Sequence, residues 1–280
     1  MDEAHEAMMQ SDMHVEADSP LFRDSSPRAV AVLWTGGWDS TFQVLRLLLK
    51  HRLPVVPYYL EDATRASTAV ELATIQAISD ALRREHEHVR GLLRPLRRFL
   101  VADIPRDPAM QQALREVRRR SYIGDQYAWL PAFCKRQRLD DIELSVHVDD
   151  KVQALLSSMV SDFQQAGCYR SYRVDARHAD RPEYALFRYF SFPLFAIDKR
   201  AMQDEAAREG WSDYMHMTWF CHRPWRGQPC GACAPCVYAI EEGMAWRVPR
   251  QRRALTWLYR KFALPLKPPL RAALATMRRS

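Results

Sequence analysis

No stretch of the 280-residue sequence approaches the roughly 18 consecutive apolar residues of a membrane-crossing helix, so no membrane association is expected. The first residues, Met-Asp-Glu-Ala-His-Glu, lack both a basic start and an apolar segment, which argues against a secretory signal and for a cytoplasmic protein. Internal repeats are missing, which sets aside solenoids and propellers, and no low-complexity tract is present. Asp and Glu are absent from residues 247–280, which carry ten Lys/Arg. Residues 1–28 show the opposite bias, with seven acidic and two basic side chains. The net charge of +7 is therefore gathered in a basic tail, and the middle of the chain is close to neutral. Such a tail is either a helix with a solvated face or a site for a phosphate-rich partner such as tRNA, or for a protein partner.

What is present suits a sizeable core, since 48% of the residues are apolar. Four segments are expected: a flexible acidic leader (1–28), an α/β domain (29–210), a cysteine module (211–246) and the basic tail (247–280). Ala29-Val30-Ala31-Val32-Leu33-Trp34 is a continuous apolar run of the kind found in a strand buried on both faces. A helix follows over about 40–51, stopped by Pro54, and then a strand over 55–60. Thr68-Ala69-Val70-Glu71 fits a capping box that opens a helix to about His88. The third strand is expected over 99–104 and the fourth over 141–148. Asp107-Pro108 reads as a helix start, with a second helix ending near Arg138. Asp149 is expected to cap a helix ending at Gly167, and Asp198 one ending at Gly210. Alternating elements in this order predict an α/β fold: a parallel sheet with helices on both faces, followed by a small C-terminal zinc-binding and helical region.

Between the first strand and first helix stands Trp34-Thr35-Gly36-Gly37-Trp38-Asp39-Ser40-Thr41. Two glycines let the backbone turn sharply and approach an anion. Successive amides and the N-terminus of the following helix supply positive potential. Thr35, Ser40 and Thr41 add hydroxyls. Asp39, an acid where an anion would bind, makes sense if it holds Mg²⁺ or orients the loop. Leu33 through Gly37 and Asp39 through Thr41 are thus the candidate nucleotide-binding residues. The loop is not G-x-x-x-x-G-K-[ST], which excludes a Walker A site.

Four of six cysteines are close together: Cys221-x8-Cys230-x2-Cys233-x2-Cys236. In a chain with no secretory signal such spacing reads as a metal site before disulfides. Four thiolates close a tetrahedral Zn²⁺ site with no open position, which is a structural role. An iron–sulfur cluster or a redox dithiol are the competing uses. His222 is expected to be a bystander, and Cys134 and Cys168 small buried hydrophobes.

The loop resembles the S-G-G-x-D-S motif of PP-loop ATP pyrophosphatases, with Thr35 in place of the first Ser. Loop and cysteine spacing together resemble the 7-cyano-7-deazaguanine synthase family. Phe192-Pro193-Leu194-Phe195-Ala196-Ile197-Asp198-Lys199 is similar to that family's Pro-Leu stretch before a lysine. The resemblance implies a Rossmann-like (HUP-type) fold that uses ATP, Mg²⁺ and Zn²⁺. It implies adenylation of a substrate carboxylate, release of pyrophosphate, and formation of a C–N bond or nitrile with ammonia or an amine. It makes Asp39 and Lys199 the candidate catalytic residues, with Lys199 on the ATP phosphates. Two stretches depart from the family: Tyr58–Arg65 lacks its Tyr-Gly-Gln-Arg-His-like segment, and Gly124–Pro131 replaces its Pro-x-Arg-Asn segment.

Arg65, Gln126, Tyr127, Asp150 and Lys151, with Glu61 and Asp149, fall at or beyond expected strand C-terminal ends, where open α/β sheets hold ligands. They are the candidate substrate contacts. Trp225 and Arg226 are candidates to cover the site or touch a partner. The stripe Trp257, Leu258, Phe262 and Leu264 is expected to pack. The competing functions are modification of a macromolecule, such as tRNA or a protein terminus, and a non-catalytic nucleotide- or nucleic-acid-binding zinc protein. A homodimer is compatible with either.

Overall fold

The computed structural model describes residues 28–258 and Lys261. The expected leader up to residue 27, most of the tail beyond 258, and Phe262 and Leu264 of the expected stripe lie outside the described residues.

β1 (Val30–Leu33) leads through the glycine loop into α1 (Trp38–Leu45), which continues as a π turn to Lys50. β2 (Val55–Glu61) and α2 (Thr68–Glu85) follow, then the short α3 (Val89–Leu92) and β3 (Arg97–Leu100). α4 (Pro108–Arg118) and α5 (Gln126–Gln137) precede β4 (Ile142–Glu143) and α6 (Lys151–Leu156). β5 (Val160–Gln165) and β6 (Tyr169–Val174) form an antiparallel hairpin. α7 (Pro182–Phe187), β7 (Phe190–Ser191), α8 (Lys199–Arg208) and α9 (Ser212–Met217) come next. The cysteine region carries α10 (Ala234–Glu241), and α11 (Arg250–Leu258) follows it.

β3-β2-β1-β4-β7 form one parallel sheet with β1 at its centre. The chain builds outward from β1 to β2 and β3, then crosses to β4 and β7 on the other side. Helices cover both faces, giving a Rossmann-like α/β fold. On one face Val32, Val55 and Tyr59 pack with Phe42, Ile75, Ile78, Met202 and Met215. On the other Leu33, Tyr58 and Ile142 pack with Leu114, Phe133, Leu156 and Phe187. Burial of each such large apolar side chain contributes on the order of 1.5–3 kcal/mol. Among the described residues no helix is long and apolar enough to cross a membrane.

Local capping follows the sequence in two places. Asp107 accepts from the amides of Ala109 (3.0 Å) and Met110 (3.2 Å), and Asp198 accepts from Ala201 (2.7 Å). Elsewhere tertiary contacts override it. The Thr68–Glu71 capping box does not form: Thr68 is the first helical residue, and its hydroxyl donates to the Asp62 and Arg65 carbonyls. Glu71 instead turns inward to accept from Tyr59 (2.8 Å), Ser67 (2.7 Å) and Arg65 (2.9 Å). The third strand sits two residues earlier than expected, because the chain winds into a 3₁₀ turn at Val101–Asp103. The fourth strand is only Ile142–Glu143. The helix expected up to Gly167 stops at Leu156; Asp150, not Asp149, caps it, accepting from Val152 at 2.8 Å. The β5–β6 hairpin replaces the rest, turning at Ala166 (φ 49°) and Gly167 (φ 67°), whose left-handed backbones match hairpin twist. Cys168, expected to be buried, is exposed at that turn. Trp257, expected to pack, is exposed as well.

The hairpin reaches back to the sheet through a buried carboxyl. Glu143 is fully buried and accepts from Tyr169 of β6 and from Gln43 of α1 at 2.8 Å. Burial raises its pKa from 4.5 to about 7, against the lowering effect of the Tyr169 and Gln43 hydrogen bonds and of Arg46. The folded protein thus binds this proton more tightly than the unfolded chain. Its contribution to stability is fully present below about pH 4.5 and is lost as pH rises through about 7. Urea unfolding should therefore show wild-type stability falling relative to Glu143→Gln by roughly 2–3 kcal/mol between pH 5 and pH 8. A pH-independent difference would exclude a protonated Glu143 in the folded state.

Candidate functional site

The glycine loop leaves the C-terminal end of β1 between β2 and β4, where the direction of chain building reverses. In open parallel sheets that crevice is where ligands bind. Gly36 has φ 70°, and a Cβ there would meet the Glu71 carbonyl and the Thr74 methyl at 3.2 Å. Its conformation and surroundings both require glycine. Gly37 precedes α1 with no side-chain cap on that helix, so the first amides are left for another acceptor. Ser40 Oγ lies 3.4 Å from the Thr35 amide and from Thr35 Oγ1, keeping both hydroxyls on the loop's inner side. Trp34 and Thr41 sit behind the loop: the indole N–H donates to Thr41 Oγ1 at 2.9 Å, and both are fully buried. Their side chains are spent on each other and brace the loop.

Asp39 is the chemically conspicuous residue. Its Oδ1 is buried without a hydrogen-bond partner. Its Oδ2 lies 3.7 Å from His147 Nε2, while His147 Nδ1 lies 2.5 Å from the Val148 carbonyl. His147 is thus held by a backbone carbonyl on one side and turns its other ring nitrogen toward the carboxylate. A cation at Asp39 satisfies the orphaned oxygen, so the donor set fits Mg²⁺. His147, just beyond β4, was not singled out from sequence; its place after a strand's C-terminal end is the signal that could have found it.

Two cavities meet at the loop. The larger, about 710 Å³, is lined by Leu33, Thr35, Gly37, Asp39 and Ser40 of the loop region. Of the candidate substrate contacts, Arg65, Gln126 and Tyr127 line it. Asp150 and Lys151 do not: Asp150 caps α6, and the Lys151 ammonium lies 5.7 Å over the Tyr122 ring, at a wall of the cavity. Glu61 pairs with Arg98 at 2.6 Å, away from the lining. The smaller cavity, about 230 Å³, shares Thr35, Gly37, Asp39, Arg65 and His222 with the larger one. Lys199 opens on it, with its ammonium 2.6 Å from Glu242.

The cysteines converge as their spacing implied. The four sulfurs lie within 4.8 Å of one another, at 3.8 Å for Cys221–Cys233, 4.0 Å for Cys230–Cys236 and 3.5 Å for Cys233–Cys236. Four thiolates about 2.3 Å from one Zn²⁺ would stand about 3.8 Å apart, so the set fits a single tetrahedral ion. Backbone amides of Cys230, Gly231 and Ala232 point at the sulfurs of Cys221, Cys236 and Cys230, at 3.2–3.4 Å, and favour the thiolate form. Cys233 precedes α10, and hydrogen bonding with the Cys221 sulfur, then with that of Cys236, lowers its pKa. Gly231 (φ 75°) lies directly under the Arg252 backbone, closing the knuckle against α11. His222 is outside the sulfur cluster and lines both cavities instead. Cys134 is fully buried, and burial pushes its thiol pKa up, away from reactivity.

The cysteine region is tied to the loop. The Trp219 amide donates to the Gly36 carbonyl at 2.9 Å, and its indole donates to the Cys221 carbonyl at 2.7 Å. Trp225, by contrast, is exposed under the Arg252 and Arg226 guanidiniums, at 3.8 and 4.7 Å, and lines neither cavity.

Fold and site together define an open parallel α/β protein with a glycine loop at its switch point and, hydrogen-bonded to that loop, a region whose four cysteines could hold a metal ion. No protein-family model matches the sequence, and no curated protein does. Among solved structures, the U34-tRNA thiolase NcsA from Methanococcus maripaludis, with its 4Fe-4S cluster, is a distant likeness. It is 13% identical, with a TM-score of 0.40 over 86% of this chain and 75% of that one.

Proposed function

We propose that this chain is an ATP-dependent enzyme of the PP-loop class that adenylates a substrate carboxylate and forms a C–N bond. The observation that carries this is Asp39: an orphaned buried carboxylate oxygen beside uncapped helix amides and two hydroxyls, at the sheet's switch point. The loop amides, Thr35 and Ser40 would hold phosphate oxygens. Asp39 would hold Mg²⁺, which when bound neutralises charge on the polyphosphate. The acceptor's carboxylate oxygen then bonds to the α-phosphorus, the bond to the β-phosphate breaks, and pyrophosphate leaves with the electron pair. Ammonia or an amine displaces AMP from the mixed anhydride. Lys199, held by Glu242, stands at the phosphate end of the site. The larger cavity suits the nucleoside and the acceptor; a ring acid of the 7-deazaguanine type fits its aromatic wall of Tyr58, Tyr122 and Trp129. The four cysteines would hold Zn²⁺ as a structural ion, and the sulfur separations favour one ion over a cluster whose irons each take one thiolate.

A second reading, a PP-loop enzyme acting on tRNA or a protein terminus, draws on one further feature. Asp125 and Trp129 also line a neighbouring cavity of about 550 Å³, so the acceptor side continues along the surface. Exchange of labelled pyrophosphate into ATP, stimulated by candidate acids, tests adenylation directly. A ring carboxylic acid of the deazaguanine type should stimulate exchange. Stimulation by tRNA or peptide alone would select the second reading, and no exchange with any acceptor would defeat the adenylation step.

A further inference from the structure

The cations around the smaller cavity differ in how they are matched. Arg65 pairs with Glu71 at 2.9 Å and Lys199 with Glu242 at 2.6 Å. Arg247, on the same wall, has no carboxylate within ion-pair distance among the described residues. One of its nitrogens, Nη2, donates to both the Thr218 carbonyl (2.6 Å) and hydroxyl (2.8 Å). The guanidinium lies 4.5 Å over the Phe220 ring and 5.3 Å over the Trp38 ring. A guanidinium has five N–H donors in a fixed fork, so most of this one's capacity is uncommitted. Burial lowers its pKa to about 10, with Asp39 and Glu242 pulling the other way, which leaves it charged at neutral pH.

Two more groups at that wall await partners. The Trp38 indole N–H is buried and unpaired, as is Asp39 Oδ1. A donor pair and an acceptor are thus left over around one small space beside the glycine loop. A magnesium-bound phosphate chain would satisfy all three: the metal takes the carboxylate and the anion takes the N–H donors.

We propose that Arg247 holds the phosphate chain in this smaller cavity and stabilises the pyrophosphate as it leaves. This deepens the reading of the loop as an ATP site and rests on it. When the α–β bond breaks, the electron pair goes to pyrophosphate, and a fixed fork beside it meets the new charge without rearranging. Arg247 closes the 3₁₀ turn Ala245–Arg247, and the next residue, Val248, is fully buried against Cys221 and Cys236. The cysteine knuckle therefore sets where the guanidinium stands, giving the metal module a positioning role at the nucleotide site. No sequence pattern marks Arg247, which lies at the head of what reads as a uniformly basic tail.

Calorimetric titration of the full chain with magnesium pyrophosphate, and separately with AMP, tests the proposal. Arg247→Gln should weaken pyrophosphate binding about tenfold or more, with AMP affinity changed by less than about twofold. Arg247→Lys should recover part of the loss, because charge returns without the fork. Arg250→Ala, at an exposed position outside both cavities, should bind as wild type does. Circular dichroism and metal content should be unchanged in each. Unaltered pyrophosphate affinity in Arg247→Gln overturns the proposal, as does an equal fall for pyrophosphate and AMP, which a merely structural arginine would give. Should Arg247→Gln not fold, unaltered pyrophosphate affinity in Arg247→Lys overturns it equally. A wild-type chain that binds neither ligand removes the ATP reading itself, and this assignment with it.

Discussion

Asp39→Asn should abolish ATP turnover and leave the protein as stable as before. The substitution keeps the shape of the side chain but removes the charge that would hold Mg²⁺. On the scale of losing one group that stabilises transition-state charge, kcat should fall about 10²–10³-fold or more. The stability side follows from burial. Asp39 Oδ1 is buried with no partner, and Oδ2 has only His147, 3.7 Å away. The amide that replaces the carboxylate breaks no hydrogen bond of the fold. Urea denaturation should therefore place the variant within about 1 kcal/mol of wild type. Wild-type turnover in Asp39→Asn would remove Asp39 from the site. A large loss of stability would make it a structural acid.

Removing the metal should be the most damaging change to the fold. The cysteine region has a small core of its own, Cys221, Cys236 and Val248, with Trp219 and Phe220 packed against it. So little apolar surface is a weak hold on a loop of this length, and a bound ion would supply the rest. Structural Zn²⁺ contributes about 10–16 kcal/mol in isolated zinc-finger peptides; even a third of that would lower the Tm of a domain this size by about 10 °C or more. Strong chelation or Cys236→Ser should produce that shift and release about one Zn²⁺ per chain. ATP affinity should fall with it, because Trp219 carries the strain from Cys221 to the Gly36 carbonyl. Cys168→Ser, at an exposed turn, is the control and should change neither. Iron with sulfide in place of zinc would overturn the single-ion assignment, and an unshifted Tm on complete metal loss would deny the ion a structural role.

The parts of this molecule legible in the sequence are those where chemistry is local. The apolar run before Gly36-Gly37 places a buried strand, a turn and a helix in order, because its short length, its valines and the glycines that follow all favour a strand ending in a turn. Cys230-x2-Cys233-x2-Cys236 likewise encodes its own geometry. Asp107 and Asp198 cap the helices they precede, since a cap needs only its own next turn. Where distant elements decide, the local pattern misleads. Thr68 and Glu71 have the spacing of a capping box, but Tyr59 and Arg65 draw the carboxylate inward. Asp149 precedes a plausible helix, but one turn past Leu156 the chain pairs with itself as β5–β6, and Tyr169 reaches Glu143 across the sheet. β4 and β7 are two residues each and leave almost no periodicity to read.

The candidate site divides the same way. Thr35, Gly37, Asp39 and Ser40 form one contiguous stretch and could be found together. His222 and Arg247 line the smaller cavity and His147 stands beside Asp39, from three separate segments that only the fold brings together. Trp34 and Thr41 belong to the motif but turn away from the ligand side, a distinction that only packing makes.

Adenylation is decided by which bond of ATP is cut. With ATP labelled at the α-phosphate, Mg²⁺ and a panel of carboxylic acids with ammonia, the label should appear in AMP, with pyrophosphate released in equal amount and no ADP. Label in ADP with release of orthophosphate would contradict adenylation, because the bond cut would then be the one between the β and γ phosphates.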